Sequence, residues 1–339
     1  MIINHIMVYK IFNKRFKMSK KSLENLYNNA IEVSFDGKDR IVFISDIHRG
    51  DGTYYDALLP NRNIYLTALK SYLRNGYTYV EVGDGDELWK NKNFFEIAYA
   101  YEEIFKVLNK FVEKDKIYLI YGNHDIIKKN SKFKIKEKKY FKKTGADYGK
   151  EFLDFIDKIQ FYEGINFLYT PVKEKFLVTH GNQVDFTNSE LICLSRFLVR
   201  YIWKFMYGIA GFRDPTSSAK SKNKRSLVDF KLQSWARDHG TMIICGHTHN
   251  SNFPGVYEPP YFNDGCCVLP DSMTAIEIDG GFICLVKWYV STDEDGRLIV
   301  KKKVIGGPEK IEGYLLWAKE ERVRLSRLKE EERRNKKKK

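Results

Sequence analysis

Five short apolar runs in this chain each end on an aspartate, an asparagine or a histidine, and this recurrence constrains the fold more than any other feature. The runs are Arg40–Ser45 before Asp46, Tyr77–Gly83 before Asp84, Lys116–Tyr121 before Gly122 and Asn123, Phe176–Thr179 before His180, and Thr241–Cys245 before Gly246 and His247. Short, bounded and rich in β-branched residues, they read as strands buried on both faces. Helical stretches at Asn61–Arg74 and Phe94–Lys114 separate the first three, so the opening half alternates strand and helix and predicts an α/β layered fold. In open α/β sheets ligands collect beyond the carboxyl ends of the strands, which is where these polar residues fall.

After Gly246 the pattern turns strand-rich, with Tyr261–Asn263, Thr274–Ile278, Phe282–Val290 and Leu298–Val304 as candidates, and a second sheet is expected to form there. The interval from Phe186 to Arg237 breaks the alternation. Its first helix, Glu190–Tyr207, is apolar except for Arg196, Arg200 and Lys204, which stand four apart on one stripe. Three charges argue against a spanning helix; a cap helix with one wet face, or a helix lying in a membrane interface, has this pattern. A polar loop, Asp214–Arg225, and a second helix, Ser226–Asp238, follow. The expected organisation is an N-terminal extension over 1–36, a core from 37–185 and 238–307, a helical cap insertion over 186–237, and a basic helical tail over 308–339.

The side chains at the strand ends are those of a metal site. Asp46 and His48 stand two apart after a strand, so both can point to one side of the chain and chelate one cation. Asp84 adds a carboxylate able to bridge two ions. Asn123 and His124 bring an amide oxygen and an imidazole, with Asp125 as a carboxylate that would orient His124. His180, His247 and His249 complete the set, so five of the seven histidines sit in strand-end motifs. Mixed oxygen and nitrogen donors suit Mn, Fe or Zn better than Ca, and the lack of neighbouring thiolates argues against a structural zinc. Seven potential ligands exceed the need of one four-coordinate ion, so two divalent metal ions are expected, Mn foremost.

In order and spacing these residues resemble the calcineurin-like metallophosphoesterase family, whose motif series is Asp-x-His, Gly-Asp-x-x-Asp/Glu, Gly-Asn-His-Asp/Glu, a Gly-His or similar segment, and Gly-His-x-His. The resemblance runs from about Ile41 to His249 and implies an α/β/β/α sandwich of two mixed sheets flanked by helices. It implies Asp46, His48 and His249 on one metal, Asn123, His180 and His247 on the other, and Asp84 bridging them. The stretch from Gly83 to Trp89, with Glu87 at the last motif position, is similar to UDP-2,3-diacylglucosamine diphosphatases, which also carry a helical, basic and apolar cap. Arg49 and Asn182 depart from that narrower pattern. The implied chemistry is in-line attack on phosphorus by a metal-bridging hydroxide, with His124 as general acid or phosphate contact and Asp125 holding it. Arg196, Arg200, Lys204 and Arg213 would meet anionic groups of a nucleotide-linked lipid or sugar, or other pyrophosphate-linked substrate. A phosphoprotein phosphatase, or a phosphodiesterase acting on small molecules, shares the same motifs.

Charge leaves other classes open. Lys and Arg exceed Asp and Glu by 58 to 44, a net +14, concentrated in Lys128–Lys150 and in Lys319–Lys339. Such blocks are usually solvated loops and tails; the functional alternatives are nucleic acid, as for a nuclease, or an anionic membrane. Phe133, Tyr140 and Phe141 interleave the first block and could stack on bases. The helical tail, Glu309–Arg334, could instead dock on a partner in a chain that has lost catalysis. Five cysteines with no CxxC pair fit a reducing, cytoplasmic setting, and Met1–Met18 has neither an apolar h-region nor a small-residue cleavage site.

Overall fold

Hydrophobic alternation along the buried strands decides the layering. In β2 (Arg40–Ile44) Ile41 and Phe43 face one way, Val42 and Ile44 the other, and all four are buried, so this strand must have a layer on each side. The computed structural model, which describes residues 20–144, 149–185 and 222–337, supplies both layers. Ile41 and Phe43 pack between two sheets, with Val80, Phe167, Phe176 and Ile244; Val42 and Ile44 pack under helices.

The seven-stranded sheet runs β12-β11-β10-β2-β3-β4-β5, where β3 is Thr78–Val82, β4 Ile117–Ile120, β5 Phe161–Tyr162, β10 Ser272–Asp279, β11 Phe282–Thr292 and β12 Leu298–Lys310. Strands β2 to β5 are parallel and β10 to β12 antiparallel. The five-stranded sheet runs β1-β6-β7-β8-β9, with β1 at Ile31–Phe35, β6 at Gly164–Tyr169, β7 at Glu174–Thr179, β8 at Ile243–Cys245 and β9 at Tyr261–Asn263. Helices α2 (Arg62–Arg74), α3 (Phe94–Ala100), α4 (Glu102–Glu113), α5 (Phe133–Thr144) and α6 (Gly149–Lys158) lie on the outer side of the larger sheet. A helix over residues 20–29 (α1) and α7 (Lys222–His239) cover the smaller sheet around Leu23, Leu177 and Trp235. This is the expected α/β/β/α sandwich of two mixed sheets.

Several details differ from the sequence reading. The C-terminal strands do not make a sheet of their own: β10 pairs antiparallel with β2, and β9 joins β8. Residues 31–35, read as part of an extension, form an edge strand parallel to β6. Phe94–Lys114 is two helices broken at Tyr101, whose hydroxyl donates to Asp56 Oδ2 at 2.7 Å. Part of the Lys128–Lys150 block is helix α5 rather than a loop. The final helix, α8 (Ile311–Lys337), buries Ile311, Tyr314 and Leu315 at the end of the intersheet core, while its later turns are exposed. Among the described residues no helix is long and apolar enough to cross a membrane. The first cap helix, and with it Arg196, Arg200, Lys204 and Arg213, lies outside the described residues.

Candidate metal centre

The loops after β2, β3, β4, β7 and β8 open at one end of the sandwich, and each carries its polar residues at a sharp bend. Asp46, His48, Asp84, His247 and His249 all adopt positive φ, between 49° and 70°. Non-glycine residues adopt this conformation at a cost of about 1–3 kcal/mol each, and a cluster of them marks a site whose geometry the surrounding fold enforces. Close approach between the loops demands glycine. A Cβ on Gly122 would lie 2.2 Å from Asp84 Oδ1, and one on Gly83, at φ +90°, would lie 2.5 Å from His180 Nδ1. Gly83→Ala should therefore lose about 1–3 kcal/mol of stability in urea unfolding and displace His180 as well.

Two of the resulting groups of ligand-type side chains hold the expected ligands, and another joins His48, Glu87 and His124. In the first, Asp46 Oδ1 lies 3.0 Å from His249 Nε2 and 3.7 Å from His48 Nε2, and the two imidazole Nε2 atoms are 3.3 Å apart. In the second, Asp84, His180 and His247 bring ligand atoms within 4.8 Å of one another, with Asp84 Oδ2 3.2 Å from His180 Nε2. That same Asp84 oxygen lies 4.0 Å from His48 Nε2, so one carboxylate borders both groups. His180 Nδ1 donates to the Val82 carbonyl at 2.9 Å, which turns Nε2 towards the site as an acceptor. His247 Nε2 sits 3.2 Å from Asp185 Oδ2. Asn123 is buried in the loop between β4 and α5, its backbone carbonyl accepting from Trp89 Nε1 at 2.6 Å.

Do these residues fit a cation? Asp46 Oδ1, Asn123 Oδ1 and His180 Nε2 are buried without a hydrogen-bond partner. Buried polar atoms are nearly always satisfied, so three such atoms converging from three loops fit metal ligation. Carboxylate, amide and imidazole donors suit first-row divalent ions.

The charges agree. Burial works against the charged form of His48, yet Asp46, Glu87 and Asp84 outweigh it and raise His48 to about 9. His180 is likewise raised to about 9 against burial, by Asp84 and Asp46. Asp46 and Asp84 are held well below the usual carboxylate range, in spite of burial, by His249 and His180 for the first and His180 and His124 for the second.

His124 stands beside these groups, and its setting differs from the sequence expectation. Its Nδ1 is 2.9 Å from Glu87 Oε1, not beside Asp125, and its ring stacks on Trp89 with centroids 4.1 Å apart and planes 16° from parallel. Asp125 faces the other way: Oδ1 accepts from the Gly122 amide at 2.7 Å and Oδ2 from Lys128 Nζ at 2.6 Å. Glu87 also reaches His48, with Oε2 3.4 Å from Nδ1.

Asp185, Asp264 and Ser45 carried no functional reading in the sequence. Asp185 has no motif of its own. Asp264 sits at the end of β9 and could have been found by the same strand-end rule as the others. Burial pushes the Asp264 carboxyl well up, and the Ser45 hydroxyl stands between two carboxylates, 2.5 Å from Asp264 Oδ1 and 2.6 Å from Asp46 Oδ2. This chain leaves Asp46 Oδ1 facing His249.

A sequence model of the calcineurin-like phosphoesterase family matches residues 39–251, a span that contains all of these motifs. A comparison with curated proteins returned no match. With more than half of its length matched and its ligand-type residues gathered at the strand ends, the chain belongs to the calcineurin-like phosphoesterase family and is a metal-dependent phosphoesterase.

Proposed function

We propose that the protein hydrolyses a phosphoester or pyrophosphate bond with two divalent cations, Mn foremost. One ion would be held by Asp46, His48 and His249, the other by Asn123, His180 and His247, with Asp84 shared. The observation that carries this reading is the single Asp84 oxygen set 3.2 Å from His180 Nε2 and 4.0 Å from His48 Nε2. When bound, such a pair supplies Lewis acidity and water activated near neutral pH. The chain's own part is placement and proton transfer. Glu87 accepts from His124 Nδ1, which leaves Nε2 to protonate the departing oxygen, and Trp89 fixes the plane of the ring.

The narrower reading is a nucleotide-linked lipid or sugar diphosphate as substrate. It is supported by the sequence from Gly83 to Trp89 and by the basic, apolar composition of the segment before α7, proposed as a cap now limited to 186–221 because α7 packs on the smaller sheet, with Arg196, Arg200, Lys204 and Arg213 as phosphate contacts. A cytoplasmic protein touching an anionic membrane surface through its basic tail accords with such a substrate. A phosphodiester polyanion is the second reading, and α5 favours it. Lys132, Lys136, Lys139, Lys142 and Lys143 are exposed on and before this helix, and none has a carboxylate partner among the described residues. The deciding experiment sets the Mn-loaded protein against UDP-linked acylated glucosamine, nucleotide diphosphate sugars, phosphomonoesters and single-stranded oligonucleotides. Turnover of the first with kcat/KM at least a hundredfold above the rest supports the narrower reading, and preference for oligonucleotides replaces it.

Cation binding has to displace protons from His48 and His180. With folded values near 9 against 6.5, their charge stabilises the metal-free fold fully below about pH 6.5. That contribution is lost as pH rises through 9. Melting of chelator-treated protein should therefore shift to lower temperature between pH 6.5 and 9, and the increase in Tm on adding Mn should grow over the same window. Differential scanning fluorimetry with and without EDTA checks both trends.

A further inference from the structure

Behind the ligand loops lies a second cluster of charge, sealed from solvent and used by none of the chemistry above. Glu81, Asp86 and Asp125 are fully buried with oxygens within 4.8 Å of one another. Two cations of the chain itself fill the cluster. Arg49, 2% exposed, donates from Nε to Asp86 Oδ1 at 2.7 Å, from Nη2 to Asp86 Oδ2 at 3.1 Å and to Glu81 Oε1 at 2.9 Å. Lys128, 5% exposed, donates to Asp86 Oδ2 and to Asp125 Oδ2, both at 2.6 Å.

The connectivity of this cluster is specific. Arg49 directly follows His48, Asp86 lies two residues after Asp84, and Asp125 lies two after Asn123. Asp86 is the hub: the guanidinium joins the first ligand loop to the second, and the ammonium joins the second to the third. Asp125 passes the constraint on, since its other oxygen holds the Gly122 amide at the entry to the third loop. A buried ion cluster contributes little net stability, because desolvation offsets most of the attraction, but it fixes one geometry, and breaking it leaves a charge unpaired. The first two loops are also laddered by backbone bonds, Arg49 N to Gly85 O and Glu87 N to Arg49 O. Among the described residues no backbone ladder ties the third loop to the second; Lys128 does so together with the His124 amide on Asp84 Oδ1 and Trp89 Nε1 on the Asn123 carbonyl.

We propose that Arg49 and Lys128 are positioning residues that lock the three ligand loops into one unit through Asp86, and so set the metal-binding geometry. The proposal rests on the two-cation reading. Its test uses the full chain as Lys128→Met, Lys128→Arg and Arg49→Lys, with Glu277→Gln as control. Glu277 is another buried carboxylate, bonded to Tyr72 and Lys302 away from the ligand loops. Mn(II) binding is followed by titration and by electron paramagnetic resonance, with folding monitored by circular dichroism.

Lys128→Met is expected to weaken the binding of at least one Mn at least tenfold, to alter the spectrum, and to lower kcat with little change in KM. Lys128→Arg keeps the charge and should regain part of the affinity. Arg49→Lys keeps charge but loses the fork that spans Asp86 and Glu81, and should also bind Mn more weakly. Glu277→Gln should melt at lower temperature yet bind Mn as the wild type does. Wild-type affinity and spectrum in folded Lys128→Met and Arg49→Lys would overturn the proposal. So would an affinity loss in Glu277→Gln as large as theirs, which would make the effect one of stability. If Lys128→Met does not fold, Arg49→Lys and Lys128→Arg carry the decision. Stoichiometry in the wild type tests the two-cation reading separately, whereas the proposal is read from the ratio of variant to wild-type affinity.

Discussion

Replacing Asp84 by Asn should reduce kcat/KM by more than about a hundredfold and leave less than the full complement of metal after gel filtration. Loss of an outer partner of a metal ligand commonly costs about 10–100-fold, and Asp84 is more than that. Its Oδ2 borders both ligand groups, at 3.2 Å from His180 Nε2 and 4.0 Å from His48 Nε2, and its Oδ1 accepts the His124 amide at 2.8 Å. Asn preserves the shape but offers one acceptor oxygen and an NH₂ in place of the second. It also removes a negative charge from between the sites. Elemental analysis of the variant against Asp46→Asn separates the roles: a shared ligand should lower the occupancy of both ions, a terminal one chiefly that of its own. Full occupancy by two ions in Asp84→Asn, with activity near wild type, would remove Asp84 from the centre.

Strands β2, β3 and β4 of the larger sheet are legible in the sequence because each is a short apolar run that terminates in residues no strand interior would hold, whereas β5, two half-buried residues, carries no such signal. Long-range pairing has no such local signal. Nothing in Ser272–Asp279 states that its partner is β2 rather than a neighbour in sequence, so the strand-rich end reads as a separate sheet. Helix α5 was hidden for a different reason. Its inner face reads Phe133, Glu137, Phe141, and the glutamate interrupts the apolar stripe by which an amphipathic helix is recognised. The structure shows what that buried carboxylate does: Oε2 accepts the Phe94 amide at 2.9 Å and the Phe95 amide at 3.3 Å, tying the start of α3 to α5.

At the site, residue type and order sufficed to name the ligand candidates, because each ligand loop follows its own strand. Partnerships between loops were not available in the same way. Asp125, as the next residue, reads as the partner of His124, but successive side chains of a loop need not share a direction. The contact comes from Glu87, 37 positions earlier in the chain. Similarly, Arg49 stood out only as a departure from a related pattern. Its function in bridging Asp86 and Glu81 required the folded arrangement of two loops.

Glu87 makes the second large prediction a sharp one. His124→Ala should lower kcat by about 10²–10⁴-fold while metal content stays at the wild-type level. The imidazole Nε2 atoms of His48, His180 and His249 face Asp46 or Asp84, whereas His124, grouped with His48 and Glu87, meets Glu87 through Nδ1 and is stacked on Trp89, which holds its ring without needing a metal bond. If its task is to protonate the leaving oxygen, the loss must depend on how much that oxygen needs a proton. A p-nitrophenolate departs readily as an anion, and an alkoxide does not. The defect should thus be small for p-nitrophenyl phosphate esters and approach the upper end of the range for alkyl esters, a dependence that a positioning or binding role for His124 would not generate. Glu87→Gln should show the same leaving-group trend in weaker form, since the amide still reaches Nδ1 but cannot stabilise an imidazolium. An equal loss of rate across leaving groups, or a loss of metal along with activity, would move His124 out of proton transfer and into ligation or phosphate binding.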